Sequence, residues 1–343
     1  MKQFLFYLLI VLLLNACEQT KQDVHIRQII SFGTTVEVTL SNVSRTHADK
    51  ALDSIEQELN YMHEQWHAWR PSSITQLNEQ LQSGYSFTIN KQLRPLIVQS
   101  KDLYNKSLTY FNPAIGKLIQ IWGFYQDNPQ TTNSLPSGDD INRLVRSNPN
   151  MDNIILTKET IRGTNSDLQL DFGGYAKGYG VQQLVEQLKA QDIHNAMINA
   201  GGDIKVIGTR QQRPWRVAIE DPYKREPLGW LYLESDESIF SSGDYRRYFE
   251  VAGKRYHHII NPQTGYPTEQ ARGATVVVND PAVADAAATA LMVAPQSDWL
   301  KLKENMNLKH ILVVANDGTL HCDKAFAKRL ALFSEKKLNI IDQ

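Results

Sequence analysis

The stretch LDFGGYAKGYGV, from Leu170 to Val181, constrains the fold more than any other part of the chain. Its four glycines lie between Asp171 and a run of helical apolar spacing that begins at Val181. Because glycine allows sharp reversals, the stretch predicts a strand that turns directly into a helix. The free N–H groups and the dipole at a helix start attract anions, and Lys177 adds a positive charge there. The residues alone leave a nucleotide-phosphate site and a purely structural turn equally open.

The first 16 residues have the pattern of a bacterial lipoprotein signal. Lys2 precedes an apolar run over residues 4–14, and a small residue then stands before Cys17. The run is too short to cross a membrane. We expect cleavage before Cys17, acylation of that cysteine, a polar tether over residues 17–27 and one folded domain over 28–343. An ordinary signal peptide and a buried strand are the alternative interpretations.

Cysteine content and charge exclude two classes of protein. Cys17 and Cys322 are the only cysteines, so an acylated Cys17 leaves no partner for a disulfide within the chain. Stability must then come from a core, which the 42% of hydrophobic residues can supply. The formal net charge is -1 and no basic block occurs, so we expect no nucleic-acid partner.

Hydrophobic periodicity predicts the main secondary structure. An alternating β-branched pattern from Ile29 to Leu40 predicts a strand that is entered through Gly33. Apolar residues at helical spacing predict a helix from about Ala48 to Trp69, with its stripe in the core. A further amphipathic helix is expected over about residues 94–108. Short strands after Ala196 predict a sizeable sheet.

Two pairs of histidines are candidates for a functional site. His63 and His67 lie four residues apart on the predicted helix, but no third ligand lies nearby, so they are interpreted as ordinary helix residues. His257 and His258 are adjacent in a predicted strand. Neighbouring strand residues point to opposite faces, so at most one of these two rings serves a given site.

Two further segments each allow a functional and a structural interpretation. Aromatic residues and glycines from Tyr110 to Phe124 could form a wall for a flat ligand or a well-packed loop. In the segment from Pro281 to Val293, Asp285 and Thr289 lie four apart and share one helix face among alanines. Their oxygens suit a hard cation such as Mg²⁺, but the segment also fits a tightly packed helix with Asp285 facing solvent.

Taken in order, these segments resemble the ApbE family, the FAD:protein FMN transferases. The resemblance extends from about Ile29 to Val314. It rests on GTT at Gly33, the segment Ser73–Asn78, FNPAIG, WGF, LDFGGYAKGYG, NAGGDI, SGDYRRYF, HHIINPQTGYP and ADAAATAL. Each motif is weak alone, whereas the ordered set is specific.

The resemblance implies the fold, the activity and the location. The expected fold is a single large α+β domain with a central mixed sheet flanked by helices. The expected activity is Mg²⁺-dependent transfer of FMN from FAD to a threonine hydroxyl of a partner protein, with release of AMP. Expected partners are flavin-accepting subunits of redox-driven ion pumps or related electron-transfer proteins. The protein itself is expected to be a lipid-anchored lipoprotein on the periplasmic side of a bacterial membrane. A metal-dependent FAD pyrophosphatase and a non-catalytic flavin-binding lipoprotein are the alternatives.

The resemblance also implies the site residues. For Mg²⁺ these are the side chains of Asp285 and Thr289 with main-chain oxygens near Gly174 and Ala288. For catalysis they are Lys177, Asp285 and His258, the last as the candidate base. For FAD binding they are Phe32, Trp69, Tyr110, Phe111, Asn112, Asp171, Lys177, His258 and Ile260.

Overall fold

The computed structural model describes residues 23–126, 134–224 and 226–342. The predicted signal sequence and Cys17 lie outside the described residues, so both remain predictions. The described strands are β1 (Val24–Ser31), β2 (Thr34–Ser41), β3 (Phe87–Thr88), β4 (Ile154–Leu156), β5 (Thr160–Gly163), β6 (Ala196–Ala200), β7 (Asp203–Ile207), β8 (Trp215–Glu220), β9 (Pro227–Leu233), β10 (Ser238–Gly243), β11 (Tyr248–Val251), β12 (Lys254–His257), β13 (Gly273–Val278), β14 (His310–Val314), β15 (Leu320–Cys322), β16 (Ala331–Leu332) and β17 (Leu338–Ile340).

Helices connect these strands. The described α-helices are α1 (Arg45–Gln65), α2 (Ser73–Gln82), α3 (Arg94–Lys106), α4 (Gly116–Ile121), α5 (Gly138–Ser147), α6 (Ala176–Ala190), α7 (Pro281–Val293), α8 (Trp299–Asn305) and α9 (Lys324–Arg329). Short 3₁₀ turns cover Met151–Asn153 and Gln296–Asp298. Helix α1 ends at Gln65, short of the predicted Trp69. No helix that the structure describes has both the length and the apolar character needed to cross a bilayer.

A nine-stranded sheet forms the centre of the fold, in the order β1-β2-β6-β7-β10-β13-β14-β15-β17. Its neighbours pair antiparallel, except that β15 and β17 run parallel. Smaller sheets are formed by β11-β12, by β16-β9-β8 and by β3-β5-β4. The predicted α+β fold with a central mixed sheet is confirmed.

Alternate residues of the central strands face two different layers. In β13, Val276 and Val278 pack into the cluster that contains α7, whereas Val277 packs into the cluster beneath the β8-β9 sheet. This alternation follows from the two-residue repeat of a strand. The sheet is therefore covered on both faces, and its core continues into each layer.

The strand predicted after Gly33 is β2, and the residues before that glycine form a second strand, β1, which pairs with β2 as a hairpin. Strands β1 and β2 pair along their whole length, from Val24 with Ser41 to Ser31 with Thr34. The two turn residues, Phe32 and Gly33, both have positive φ, at 52° and 71°. Two-residue hairpin turns with this geometry match the twist of the strands, which the alternation pattern did not reveal. Because β1 begins at Val24, the fold starts within the predicted tether over residues 17–27.

Helix α7 is the predicted Ala-rich helix, and it lies deep in the protein. The Asp280 side chain caps its start by accepting from the N–H groups of Ala282 at 2.8 Å and Val283 at 3.2 Å. Pro281 occupies the first turn, where a backbone N–H has no helical acceptor and its absence in proline costs no hydrogen bond. The helix packs against α6 and against strands β10 and β13. Asp285 is only 4% exposed, so the alternative interpretation, a packed helix with Asp285 facing solvent, is wrong.

Candidate active site

Side-chain amides and a loop hold the segment that precedes the Gly-rich turn. The Asn78 amide donates to Leu170 O at 2.9 Å, and its carbonyl accepts from Leu170 N at 2.7 Å. One helical turn later, Gln82 donates to Leu168 O at 3.2 Å. On the other edge, Asp171 N donates to Pro113 O at 2.8 Å. The chain leading to Asp171 is therefore fixed from both sides, as a strand would be in a sheet.

Asp171 contacts the aromatic part of the site. Its Oδ1 accepts from Gly173 N at 2.7 Å, and its Oδ2 accepts from the indole N–H of Trp69 at 2.8 Å. The Tyr125 ring lies 5.7 Å from the Trp69 ring, at an angle of 47°. We call Trp69, Asp171 and Tyr125 the aromatic half of the site. Two predicted FAD residues, Trp69 and Asp171, are thus brought together.

The Gly-rich turn enters helix α6 earlier than predicted. The helix begins at Ala176, so Gly178 and Gly180 are helical residues. A Cβ at Gly178 would lie 2.1 Å from Pro281 O, which shows how closely α6 approaches α7. The Gly178 N–H donates to Asp285 Oδ2 at 2.9 Å, and Gly173 N–H is taken by Asp171. These two N–H groups therefore bind carboxylates and are not free for a phosphate, contrary to the expectation from the glycines.

Lys177 lies between two buried carboxylates. Its Nζ is 2.5 Å from Asp203 Oδ2 and 3.5 Å from Asp285 Oδ1. Asp203 and Asp285 are 5% and 4% exposed. Asp203 Oδ1 also accepts from Ser241 N at 2.9 Å, which ties it to strand β10. We call Asp203, Lys177 and Asp285 the acid–lysine row.

Burial and mutual charge decide the ionisation of this row. Burial alone lowers the pKa of Lys177, but Asp203 and Asp285 outweigh it and raise the pKa above its ordinary value. Lys177 therefore stays charged. Burial raises the pKa of Asp285, which Lys177 opposes and Asp203 reinforces. One ammonium facing two carboxylates leaves an excess of negative charge that a bound cation would neutralise.

The oxygens around Asp285 fit a hard cation. Thr289 lies one helical turn after Asp285, and a Cβ on Gly174 would come 2.9 Å from Thr289 Oγ1. The main chain at Gly174 thus meets the face of α7 that carries both predicted side-chain ligands, and buried Ala288 precedes Thr289 in the same turn. Among the described ranges, no group of three or more His, Cys, Asp or Glu side chains is arranged to hold a metal. A cation here would take its other ligands from main-chain, phosphate or water oxygens, as Mg²⁺ does in nucleotide sites.

The His258 ring lies near Lys177, whereas the His257 ring makes structural contacts with the neighbouring backbone. The His258 Nδ1 is 3.2 Å from Arg247 O, and the charge of Lys177 is among the influences on its pKa. Burial is the main cause that lowers the pKa of His258 to about 3. His257 Nε2 contacts Thr268 O at 2.7 Å, and its Nδ1 accepts from Ile259 N at 3.3 Å. The expectation that the two rings serve different faces agrees with these contacts.

Because a carbonyl oxygen can only accept, Nδ1 of His258 carries the proton in this contact. In a neutral ring, Nε2 is then the acceptor. The ring is held by Arg247 O and by edge contact with Phe124, at 6.4 Å between ring centres. His258 therefore has one nitrogen with a free lone pair.

The predicted wall residues at 110–112 make other contacts. The Tyr110 hydroxyl donates to Asp298 Oδ2 at 2.7 Å, and the Phe111 ring packs in the core 6.1 Å from Tyr175. The Asn112 amide donates to Pro149 O at 3.0 Å, while its carbonyl accepts from Ala114 N at 3.0 Å. These contacts shape the loop that pairs with Asp171. Their direct contact with FAD stays a prediction.

Phe32 and Ile260 flank the site from opposite ends of the sequence. The Phe32 ring would lie 3.1 Å from a Cβ on Gly180, and it stacks on Trp66 with ring centres 6.3 Å apart. Ile260 is 5% exposed and belongs to an apolar cluster with Trp122. Phe32 thus borders helix α6, whereas Ile260 belongs to the same apolar cluster as Phe124, whose ring contacts His258.

Sequence reasoning missed three residues that organise the site: Asn78, Tyr125 and Asp203. Asp203 stands directly after the glycine pair of NAGGDI, where both glycines have positive φ, at 67° and 99°. A carboxylate placed just after such a turn and at the start of an apolar strand was the available signal. Asn78 gave a weaker signal, as an amide among the buried positions of helix α2.

The mixed sheet and the acid–lysine row define an α+β protein with a buried, charged site at the start of a Gly-rich helix. A family model described as the ApbE family matches residues 32–312. The chain belongs to this family.

Relatives and solved structures agree with this assignment. A FAD:protein FMN transferase of Rhodobacter capsulatus is 36% identical over 299 residues, covering 87% of this chain and 57% of that protein. One of Vibrio cholerae is 29% identical over 322 residues, covering 92% and 95%. The crystal structure of an ApbE protein of Thermotoga maritima is 26% identical with a TM-score of 0.81, covering 90% of this chain and 99% of that one. The apo flavinyl transferase ApbE of Pseudomonas stutzeri has a TM-score of 0.78 at 26% identity, covering 91% and 98%.

Proposed function

We propose that this protein is an FAD:protein FMN transferase, which moves FMN from FAD to a threonine hydroxyl of a partner protein and releases AMP. The acid–lysine row is the observation that carries the proposal. It places a charged lysine 2.5 Å and 3.5 Å from two buried carboxylates, directly after a Gly-rich turn. Membership of the ApbE family indicates which reaction such a site would catalyse.

The residues divide the work of binding and orienting FAD. Trp69, Tyr125 and Asp171 offer aromatic surface and a carboxylate at one end of the turn. Lys177 offers a positive charge for the pyrophosphate at the other end. Positioning and electrostatic stabilisation supply most of the rate in phosphoryl transfer, so fixed groups of this kind suit the reaction.

Asp285 and Thr289, with main-chain oxygens near Gly174 and Ala288, would hold Mg²⁺. Bound there, Mg²⁺ would offset the charge that develops on the pyrophosphate. The fit rests on the buried carboxylate, the neighbouring hydroxyl and the close approach of the Gly174 main chain.

The transfer exchanges one phosphorus–oxygen bond for another. The threonine oxygen bonds to the FMN phosphorus, the bond from that phosphorus to the AMP oxygen breaks, and AMP leaves with the electron pair. His258 accepts the hydroxyl proton on Nε2, because its Nδ1 faces Arg247 O. With a pKa of about 3 the ring is a weak base, so it takes the proton only as the hydroxyl becomes acidic on bonding to phosphorus.

The acceptors we propose are flavin-carrying subunits of redox-driven ion pumps or related electron-transfer proteins. The enzyme would meet them on the periplasmic side of the membrane, held by lipid on Cys17. Cys17→Ser should release the protein into the soluble periplasmic fraction, since the acylated residue is lost. Fractionation followed by immunoblotting measures this. A variant that stays in the membrane with its signal uncut would contradict lipid anchoring.

The function is tested by incubating the protein with FAD, Mg²⁺ and a candidate acceptor. Flavin fluorescence at the acceptor band of a denaturing gel is the expected result. Free FMN and AMP without labelled acceptor would identify a pyrophosphatase. FAD that binds and remains intact with every acceptor and cation would identify a flavin-binding lipoprotein.

A further inference from the structure

Asp203 is held by contacts on both of its carboxylate oxygens. It begins strand β7 directly after the Gly201-Gly202 turn and is 5% exposed. A Cβ on Gly201 would lie 2.3 Å from Thr34 Oγ1, so the turn is pressed against the neighbouring hairpin. With Ser241 N on one carboxylate oxygen and Lys177 on the other, Asp203 has little freedom to move.

Lys177 is shared unequally between its two carboxylates. Its Nζ lies 2.5 Å from Asp203 but 3.5 Å from Asp285. An ammonium that moved fully onto Asp285 would occupy the oxygen that a cation needs and would repel that cation. The shorter contact to Asp203 therefore draws the positive charge away from the cation side of the row.

We propose that Asp203 is a positioning residue that holds Lys177 off Asp285 and so keeps the Asp285 carboxylate open to a divalent cation. This role rests on the proposed function, because it takes Asp285 as a cation ligand. It explains why the acid–lysine row contains a second buried carboxylate beside Asp285. Asp203 acts on the cation through Lys177 and need not touch it.

The test is a double-mutant cycle on cation binding by the purified protein without FAD. Mn²⁺ is the probe, because it favours the same oxygen ligands as Mg²⁺ and its free form is counted by electron paramagnetic resonance. Asp203→Asn can still accept from Ser241 N but loses the charge that holds Lys177. It should weaken Mn²⁺ binding by roughly tenfold or more, the equilibrium effect of one charge-assisted hydrogen bond. Lys177→Met should bind Mn²⁺ at least as tightly as the unsubstituted protein.

The double variant decides between this role and a structural one. If Asp203 acts through Lys177, Lys177→Met combined with Asp203→Asn restores the Mn²⁺ affinity to that of the unsubstituted protein or better. An affinity that stays as low as in Asp203→Asn would overturn the proposal, since it would make Asp203 a direct ligand or a structural residue. Unchanged binding in Asp203→Asn, or no Mn²⁺ binding by the unsubstituted protein, would overturn it too.

A matched control is Glu237→Gln, which also removes a buried carboxylate charge beside a cation, here Arg329 at 2.7 Å. It should lower the melting temperature without changing the Mn²⁺ affinity. Failure of the proposed function is distinguishable, because it would abolish flavin transfer while the pattern of Mn²⁺ affinities across the cycle persisted.

Discussion

Two aspartates lie at the two ends of the Gly-rich turn, and their surroundings differ. Asp171 accepts from Gly173 N at 2.7 Å and from a neutral indole N–H at 2.8 Å. Asp285 accepts from Gly178 N at 2.9 Å, but it also faces charged Lys177 and is 4% exposed. The same turn thus presents an aromatic half, in which the carboxylate has neutral partners, and a charged half, in which a buried carboxylate faces a charged lysine. We propose that the first half binds FAD and that the second stabilises charge during transfer.

The charged half should show the largest effect of substitution. Asp285→Asn keeps the volume and removes the charge that would bind the cation, so transfer should fall on the order of 100-fold or more. Flavin attached to the acceptor and thermal melting are measured on the same preparation across a Mg²⁺ titration. Burial raises the pKa of Asp285, so the neutral amide should leave the fold nearly intact. Substantial transfer with normal Mg²⁺ dependence would remove Asp285 from the cation site.

The aromatic half should affect binding more than turnover. Trp69→Phe keeps an aromatic ring but loses the N–H that reaches Asp171 at 2.8 Å. A hydrogen bond to a charged group is worth roughly 1.5–3 kcal/mol, so FAD affinity should fall about tenfold with little change in kcat. Calorimetry measures the affinity, and steady-state kinetics separates KM from kcat. The control Trp215→Phe loses an indole hydrogen bond to Ile207 O and should leave FAD affinity unchanged. A kcat loss like that of Asp285→Asn would show that Trp69 acts in the chemical step as well as in binding.

Much of the charged half could be predicted from the sequence. Asp285 and Thr289 share a face because helical residues four apart do so, and the helix over 281–293 is confirmed. Burial of Asp285 could not be predicted, because it depends on Gly178 letting two helices approach within van der Waals contact. Asp203 was missed, since its partner Lys177 is distant in sequence and meets it only through the order of strands in the sheet.

The aromatic half could be predicted less well. A run of aromatic residues indicates burial as readily as ligand binding, and Phe111 is indeed 3% exposed in the core. The backbone pairing between Pro113 and Asp171 leaves no trace in side-chain patterns. Strand β2 was predicted, but its pairing with β1 in a hairpin was not, because the turn depends on the backbone angles of Phe32.

The smallest effect on flavin transfer concerns His257, whose ring contacts Thr268 O and not the acid–lysine row. Burial lowers the pKa of His257 to about 4 from an ordinary value of 6.5. The unfolded chain therefore binds more protons between these values, and stability should fall as pH decreases from 6.5 towards 4. His257→Gln keeps a donor for Thr268 O and should flatten this decline, by on the order of 2–3 kcal/mol across the window. Denaturant unfolding at several pH values measures it, and parallel declines in both proteins would contradict the assignment.

The stoichiometry of the products formed with a purified acceptor tests the proposed transfer reaction itself. AMP released from FAD and FMN bound to the acceptor are measured together, by chromatography and by mass spectrometry of the acceptor peptides. A transferase should release one AMP for each flavin attached, with the new phosphoester on a threonine, and Asp285→Asn should lower both products on the order of 100-fold or more. AMP in excess, matched by free FMN and an unmodified acceptor, would show that the protein hydrolyses FAD instead of transferring FMN.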